Sequence, residues 1–316
     1  MTRRRACSHV CGGYSHERNT PTRIEREHDN ASEKTVGQMT GVNSILDALA
    51  AVTPDVRKEL QAARGKTETK NPTGDVQSTA DLRIDRQFRD QLAPLEAVGT
   101  FASEEREGIE DVGDGLSVAI DPLDGSSNLR SNNIVGTVVG VYDAPLPASG
   151  RDLVASMFLL YGPLVTMTAA VEEKVTRHVI DDGEIVDSTP VIIPDENTIC
   201  GFAGSTSEWT APVQEFWSDL TRDYKLRYTG AMVGDINHLL LDGGLLGYPE
   251  RTSNLRGDLR LQYEANPVAH IVETADGRSS TGKKSVLDIE PTELHQHTPA
   301  YFGNSERIDA LEAVLL

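Results

Sequence analysis

From Leu116 to Asn128 the chain reads Leu-Ser-Val-Ala-Ile-Asp-Pro-Leu-Asp-Gly-Ser-Ser-Asn, and few folds accommodate that order of residue types. The apolar run 116–120 predicts a buried strand, and Pro122, which has no N–H, forbids its continuation, so Asp121 emerges at the strand's end. Ligands bind at such ends in open α/β sheets. Gly125-Ser126-Ser127-Asn128 then offers a position without a side chain, two hydroxyls and successive backbone N–H groups, the ingredients of a phosphate nest or a helix start. Asp121 and Asp124 would repel an anion held there unless cations lay between, so the stretch predicts Mg²⁺, whose hard oxygen ligands leave room for water and phosphate. Two such ions activate a water and stabilise a leaving oxygen. The same residues also suit an ordinary surface turn, and taken alone the stretch leaves both readings open.

The flanking sequence supplies elements to hold that turn. Ile45, Leu46, Leu49 and Val52 recur at helical spacing, and Thr53-Pro54 predicts the cap and opening of a second helix through about Arg64. Ile84, Phe88 and Leu92 mark a face of a further helix with Asp81 near its start, where an acid also complements the helix dipole. Residues 97–102 read as a strand running into Ser103-Glu104-Glu105, and adjacent glutamates by themselves read as a solvated face. The β-rich runs 134–142, 153–160, 164–171 and 174–180, a hairpin signal at Asp182-Gly183, the short run 184–186 and the closing run 191–194 predict one largely antiparallel sheet.

Beyond a boundary at Asp195-Glu196-Asn197, helices and strands alternate. Helices are expected over 213–220 and 233–242, and strands over 245–248 and 259–263. A helix N-capped by Asn266 with Pro267 at its first position follows, then a last helix capped by Ser305. Glu264 thus repeats the arrangement of Asp121, an acid at a strand's end. The expected organisation is a disordered N-terminal tail (1–38), an α+β half carrying the metal and phosphate motif (39–195) and an α/β half (196–316). Organised sequence begins after Met39, which is also a candidate start of translation. Cys7, His9, Cys11 and His16 fit no common zinc-finger spacing, and His295 and His297 indicate no third ligand.

Charge and cysteine usage narrow the class of partner. With 49 Asp+Glu against 30 Lys+Arg the formal charge is −19, which disfavours nucleic acid and anionic membranes as partners and, with arginine carrying most of the positive charge, suggests adaptation to molar salt. Three cysteines cannot build a disulfide framework, so a reducing cytoplasm is the expected compartment. The longest apolar region, 154–171, is interrupted by Tyr161-Gly162-Pro163 and reads as two strands around a turn rather than a membrane span.

Taken together, Asp81, Glu104-Glu105, the segment from Asp121 to Asn128 and Tyr263-Glu264-Ala265-Asn266-Pro267 resemble, in residues, order and spacing, the class I fructose-1,6-bisphosphatase family. That family lies within the magnesium-dependent, lithium-sensitive phosphatases that include inositol monophosphatase. Further similarity runs through 136–142, 227–232, 257–263, Thr281-Gly282 and His295-Gln296, so it covers most of 42–316. The resemblance implies an α/β fold, a layered αβαβα sandwich of the sugar phosphatase type with the metal site between its two halves. It also implies hydrolysis of the 1-phosphate of fructose 1,6-bisphosphate, a gluconeogenic step.

The implied Mg²⁺ ligands, for two or more ions per subunit with Mn²⁺ able to substitute, are Glu104, Glu105, Asp121, the Leu123 carbonyl, Asp124 and Glu264. Asp81 and Glu105 would polarise the attacking water. The 1-phosphate would lie on Gly125 and Ser126, beside Asp124 and Ser127. Arg227, Tyr228 and Tyr248 stand where family members hold the 6-phosphate, the arginine reaching in from a neighbouring subunit of a homo-oligomer, a dimer or tetramer. A lysine of the family pattern is Asp258 here, so Arg256, Arg260 or a salt cation must compensate. The competing readings are a phosphatase of the same fold acting on sedoheptulose 1,7-bisphosphate or inositol monophosphate, and a regulator that binds a phosphometabolite without catalysis.

Overall fold

The computed structural model describes residues 23–63, 69–70, 76–77 and 79–315. Contacts divide the chain into Met1–Met39 and one compact unit, Thr40–Leu316. The helix α1 (Arg23–Ala62) contains Pro54 in its interior, so the two helices expected there are one. Proline has no N–H to offer the carbonyl four residues back. Here the Thr53 hydroxyl donates to that Ala50 carbonyl at 2.9 Å, which leaves no buried acceptor unsatisfied at the proline. Helix also occupies 23–38 of the stretch expected as a disordered tail, because Glu, Arg, Lys and Ala favour helix and elongation needs no new nucleus. Residues 1–22, with the Cys7 to His16 group, lie outside the described residues.

A short antiparallel pair, β1 (Thr69–Lys70) and β2 (Val76–Gln77), precedes α2 (Thr79–Leu92). Eight strands follow: β3 (Val98–Ser103), β4 (Ile109–Asp111), β5 (Leu116–Asp124), β6 (Val135–Tyr142), β7 (Leu153–Tyr161), β8 (Val165–Val171), β9 (Lys174–Asp181) and β10 (Glu184–Val191). They form one sheet of order β10-β9-β8-β7-β6-β5-β3-β4, an antiparallel meander except for the parallel pair β3 and β5. Alternation along each strand separates two cores. On β7, Ala155, Met157 and Leu159 face the side covered by α1 and α2, whereas Phe158 and Leu160 face the opposite side. The apolar region 154–171 is thus β7 and β8 around a turn, and among the described residues no helix is long and apolar enough to cross a membrane.

The remaining elements are β11 (Ile199–Phe202), α3 (Ala211–Leu220), β12 (Lys225–Leu226), α4 (Met232–Asp242), β13 (Gly244–Tyr248), β14 (Leu259–Arg260), α5 (Asn266–Thr274), β15 (Arg278–Ser280), β16 (His297–Thr298), β17 (Ala300–Gly303) and α6 (Ser305–Leu315). Five of the strands make a second sheet, β12-β11-β13-β17-β15, and β14 pairs with β16. α4 and α5 pack between the two sheets, and α3 and α6 cover the outer face of the second around Trp209, Val213, Ile308 and Leu311. The result is a layered αβαβα sandwich.

Three local expectations are corrected. Strand β5 does not stop at Asp121 but runs on to Asp124 through a register shift against β6, and Pro122 sits inside that shift, where no ladder N–H is needed. β14 ends at Arg260, and residues Leu261–Ala265 form a π-helical turn that carries Glu264. Asn266 does not cap α5: its backbone is already helical and its side chain is fully buried, so the turn before it serves as the helix entrance.

Candidate active site

The register shift in β5 decides where the acids point. Asp121 pairs with Val138 and Asp124 with Gly136, so an extra residue is accommodated between the two carboxylates. The Asp121 carboxylate accepts the Leu123 N–H at 2.9 Å, and Asp124 accepts the Val233 N–H at 2.7 Å from the first turn of α4. The π-helical turn brings Glu264 to the same place. Carboxylate oxygens of Asp121, Asp124 and Glu264, all buried, lie within 4.8 Å of one another. Parallel pairing of β3 with β5 continues into Glu104, whose N–H donates to the Ile120 carbonyl at 3.0 Å. Glu104 in turn pairs at 3.0 Å with the Arg260 guanidinium, and the Arg260 N–H donates to Glu264 at 2.6 Å.

Such a cluster is electrostatically costly without added positive charge. Burial first, then the surrounding carboxylates, hold Glu104 and Asp121 far above the usual carboxylate range, with Arg260 opposing the effect on Glu104. Burial pushes Asp124 up to about 7 against the Val233 and Met232 amides. The charge of Glu105 adds to the upward push on Glu104 and Asp121. The oxygens of Asp121, Asp124 and Glu264 are hard donors that converge, which fits Mg²⁺ or a similar divalent ion and would suit no soft metal.

Gly125 follows with φ +75°, a conformation that favours glycine, and a Cβ there would stand 2.3 Å from the Ala231 Cβ. Asn128 closes the turn. Its N–H donates to the Gly125 carbonyl at 2.8 Å, and its side-chain amide donates to the Ile134 and Thr229 carbonyls, each at 2.9 Å. Ser126 and Ser127 remain at the surface end of this turn. Gly125→Ala is expected to destabilise the fold by about 3 kcal/mol, combining a left-handed alanine with overpacking. Denaturant unfolding measures it, and a loss below about 1 kcal/mol would show that the turn relaxes freely.

Asp81 occupies the buried face of α2, in its first turn. One turn further on, Asp85 accepts a forked pair of hydrogen bonds from Arg106, with Nε–Oδ2 at 2.9 Å and Nη2–Oδ2 at 2.8 Å in the ion pair. Arg106 also lies over the Phe101 ring at 5.5 Å and reaches Glu110 at 3.3 Å. The residue after Glu105 is therefore tied to the helix that carries Asp81. Neither Asp85 nor Arg106 stood out in the sequence, since the pair spans 21 residues. Arg106→Gln is expected to cost about 3–5 kcal/mol, the usual result of leaving a buried carboxylate unpaired, and a thermal melt beside wild type checks it.

The sugar-side residues are placed less uniformly. The Tyr248 hydroxyl is buried and donates to Asp235 at 3.0 Å, while Asp235 also accepts the Thr229 N–H at 2.7 Å. Tyr228 is exposed, and Arg227 is exposed with its guanidinium turned back to the Leu226 carbonyl. Arg260 lies with Glu104 in the carboxylate cluster. Arg256 is exposed and its nearest acid is Glu293 at 3.8 Å. Asp258 is paired with Arg251, a residue to which no sequence signal pointed.

A layered αβαβα sandwich with buried carboxylates converging beside a glycine turn defines a phosphoric monoester hydrolase of the metal-dependent sugar phosphatase class. The family model described as fructose-1-6-bisphosphatase, N-terminal domain, matches residues 19–187, and that for the C-terminal domain matches 193–316. The chain belongs to the fructose-1,6-bisphosphatase family. It is 45% identical to the class 1 fructose-1,6-bisphosphatase of Halobacterium salinarum over 278 residues, 87% of this chain and 97% of that protein. Identity to the class 1 protein of Natronomonas pharaonis is 43% over 278 residues, 87% of this chain and 98% of that one. Among solved structures, the holo form of Leishmania major fructose-1,6-bisphosphatase superposes with a TM-score of 0.81 at 29% identity, covering 87% of this chain and 94% of that one.

Proposed function

We propose that the chain hydrolyses the 1-phosphate of fructose 1,6-bisphosphate to fructose 6-phosphate and inorganic phosphate, with Mg²⁺ as its resident ion, two or more per subunit, and Mn²⁺ able to replace it. The observation that carries this reading is the convergence of the Asp121, Asp124 and Glu264 oxygens within 4.8 Å, next to the left-handed Gly125 turn. When bound, divalent ions lower the pKa of a coordinated water and neutralise charge on the phosphoryl oxygens. Asp121, Asp124 and Glu264, with Glu104, Glu105 and the Leu123 carbonyl, are the residues that would hold them.

The protein's own groups do the rest. Amides at Gly125 and Ser126, with Ser127 beside them, orient the phosphoryl oxygens for in-line displacement. Asp81 and Glu105 polarise the attacking water. Arg260, through Glu104, keeps positive charge at the phosphoryl end. Tyr228 and Tyr248 line the sugar end, and Arg227 serves the 6-phosphate of a neighbouring subunit in a homo-oligomer, a dimer or tetramer. We divide the chain at 195, so that 39–195 supplies Asp121 and Asp124 and 196–316 supplies Glu264. The setting we propose is a salt-rich cytoplasm, consistent with the charge of −19 and with relatives from haloarchaea.

Phosphate release from purified protein in molar KCl with Mg²⁺ tests the reading. One phosphate per molecule of fructose 1,6-bisphosphate, with fructose 6-phosphate as the product, is expected. Faster release from sedoheptulose 1,7-bisphosphate or inositol monophosphate would reassign the substrate, and binding without release would make the chain a regulator.

A further inference from the structure

Glu264 reaches Asp121 and Asp124 on a π-helical turn, Leu261–Ala265, and such turns are rare and gather at functional sites. Something has to hold the turn in that form. The Asn266 N–H reaches back five residues to the Leu261 carbonyl, whereas an α-helical turn would give that N–H to the Gln262 carbonyl. The Gln262 carbonyl is thereby left in need of another donor. Continuing the π pattern would take it from residue 267, which is a proline and has no N–H.

Tyr142, fully buried at the end of β6, supplies the donor. Its hydroxyl donates to the Gln262 carbonyl at 3.0 Å. The Gln262 side chain, also fully buried, pairs with Ala148 in the connection between β6 and β7: its Oε1 accepts the Ala148 N–H at 2.9 Å and its Nε2 donates to the Ala148 carbonyl at 2.8 Å. Backbone and side chain of Gln262 thus end on groups 114 to 120 residues away in the chain. Gly140 leaves room for this arrangement, since a Cβ there would stand 2.9 Å from the Pro267 Cγ and 2.9 Å from the Tyr142 ring. β6 is also the strand against which Asp121 and Asp124 are registered, through Val138 and Gly136. One strand therefore relates both groups of acids.

We propose that Tyr142 and Gln262 are positioning residues for the metal site, which hold the turn in its π form so that Glu264 meets Asp121 and Asp124. This rests on the reading of those three acids as ligands of a divalent ion. Without the Tyr142 hydroxyl, the buried Gln262 carbonyl has the Asn266 N–H as its nearest backbone donor along the helix. Taking it converts the π turn to an α-helical one and shifts Glu264 by one residue of helical register against α5.

The test is calorimetric titration of metal-free protein with Mg²⁺ in molar KCl. It compares wild type, Tyr142→Phe, Gln262→Leu, Glu264→Gln and the double variant Tyr142→Phe/Glu264→Gln, with a thermal melt of each. Tyr142→Phe keeps the ring and removes only the donor. Its Kd for Mg²⁺ is expected to rise on the order of tenfold, equivalent to ~1.4 kcal/mol, and Gln262→Leu should move the same way. Added to Glu264→Gln, Tyr142→Phe should change the Kd by less than about twofold, because the two changes then act through one side chain. A purely structural role would lower the melting temperature and leave the Kd of both single variants at its wild-type value, which would overturn the proposal. The same tenfold loss in the Glu264→Gln background would overturn it too. Should Gln262→Leu not fold, or Glu264→Gln not titrate, the Kd of Tyr142→Phe set against its own melt decides. Wild type that takes up no Mg²⁺ would refute the metal reading itself, a result distinct from wild-type binding that neither single variant weakens.

Discussion

Asp121→Asn is expected to lower kcat by about a thousandfold, equivalent to several kcal/mol of charge stabilisation at ~1.4 kcal/mol per tenfold, while raising the melting temperature of the metal-free protein. The two effects have one cause. Asp121 is buried, and burial together with Glu104, Asp124, Glu264 and Glu105 disfavours its charged form. Asparagine is nearly isosteric and its amide oxygen still accepts the Leu123 N–H, so the shifted strand keeps its shape. What the substitution removes is one negative charge from a crowded site. Removing it relieves repulsion in the metal-free fold, on the scale of ~1 kcal/mol or a few degrees, and takes away a ligand that divalent ions need. Initial rates over a Mg²⁺ titration and a melt in EDTA read both. Wild-type turnover in the variant would remove Asp121 from the metal site, and a lower melting temperature would show that the carboxylate stabilises the fold by itself.

Much of this site is legible in the amino-acid sequence, for a physical reason. The residues from Asp121 to Asn128 combine constraints that rarely coincide by chance, and the long antiparallel strands β6 to β9 announce themselves by β-rich composition between turn signals. What stays hidden depends on partners distant in sequence. Pro54 reads as a helix start until the Thr53 hydroxyl is seen to satisfy Ala50. Pro122 reads as a strand end until the register shift against β6 shows that its missing N–H is never required there. Glu264 reads as the end of a five-residue strand, yet a π-helical turn delivers it, because β14 has only the short β16 to pair with and α5 begins at once. Strands β11, β15 and β17 have three or four residues each, too few for alternation to register. Arg106 with Asp85 is an ion pair across 21 residues that only folding brings together, and Arg251 with Asp258 closes the connection between β13 and β14. The motif thus names the chemistry, and the tertiary pairs decide how it is held.

The metal-free protein is expected to lose stability as pH rises from 6 to 8, and saturating Mg²⁺ is expected to abolish that loss. The sign follows from the direction of the shifts. Glu104, Asp121 and Asp124 all bind protons more tightly in the fold than in the unfolded chain, chiefly through burial, and Asp124 does so up to about 7. Groups raised in this way contribute stability that is complete below their unfolded pKa and is lost as pH climbs through the folded value. For Asp124 the loss runs from the ordinary carboxylate range up to about 7, and for Glu104 and Asp121 it likewise extends above the ordinary carboxylate range. Divalent ions take the place of those protons, so binding should release protons at pH 7 and the release should grow as pH falls toward 6. Melting temperatures at pH 6, 7 and 8 with EDTA or Mg²⁺ measure the first effect. Calorimetric titration of Mg²⁺ in buffers of different ionisation enthalpy counts the protons. Molar KCl must be held constant throughout, because screening of a chain with a charge of −19 would otherwise move every melt together. A metal-free protein that grows more stable toward pH 8 would mean that Arg260 already neutralises the cluster, and the carboxylates would then be ionised before any metal arrives.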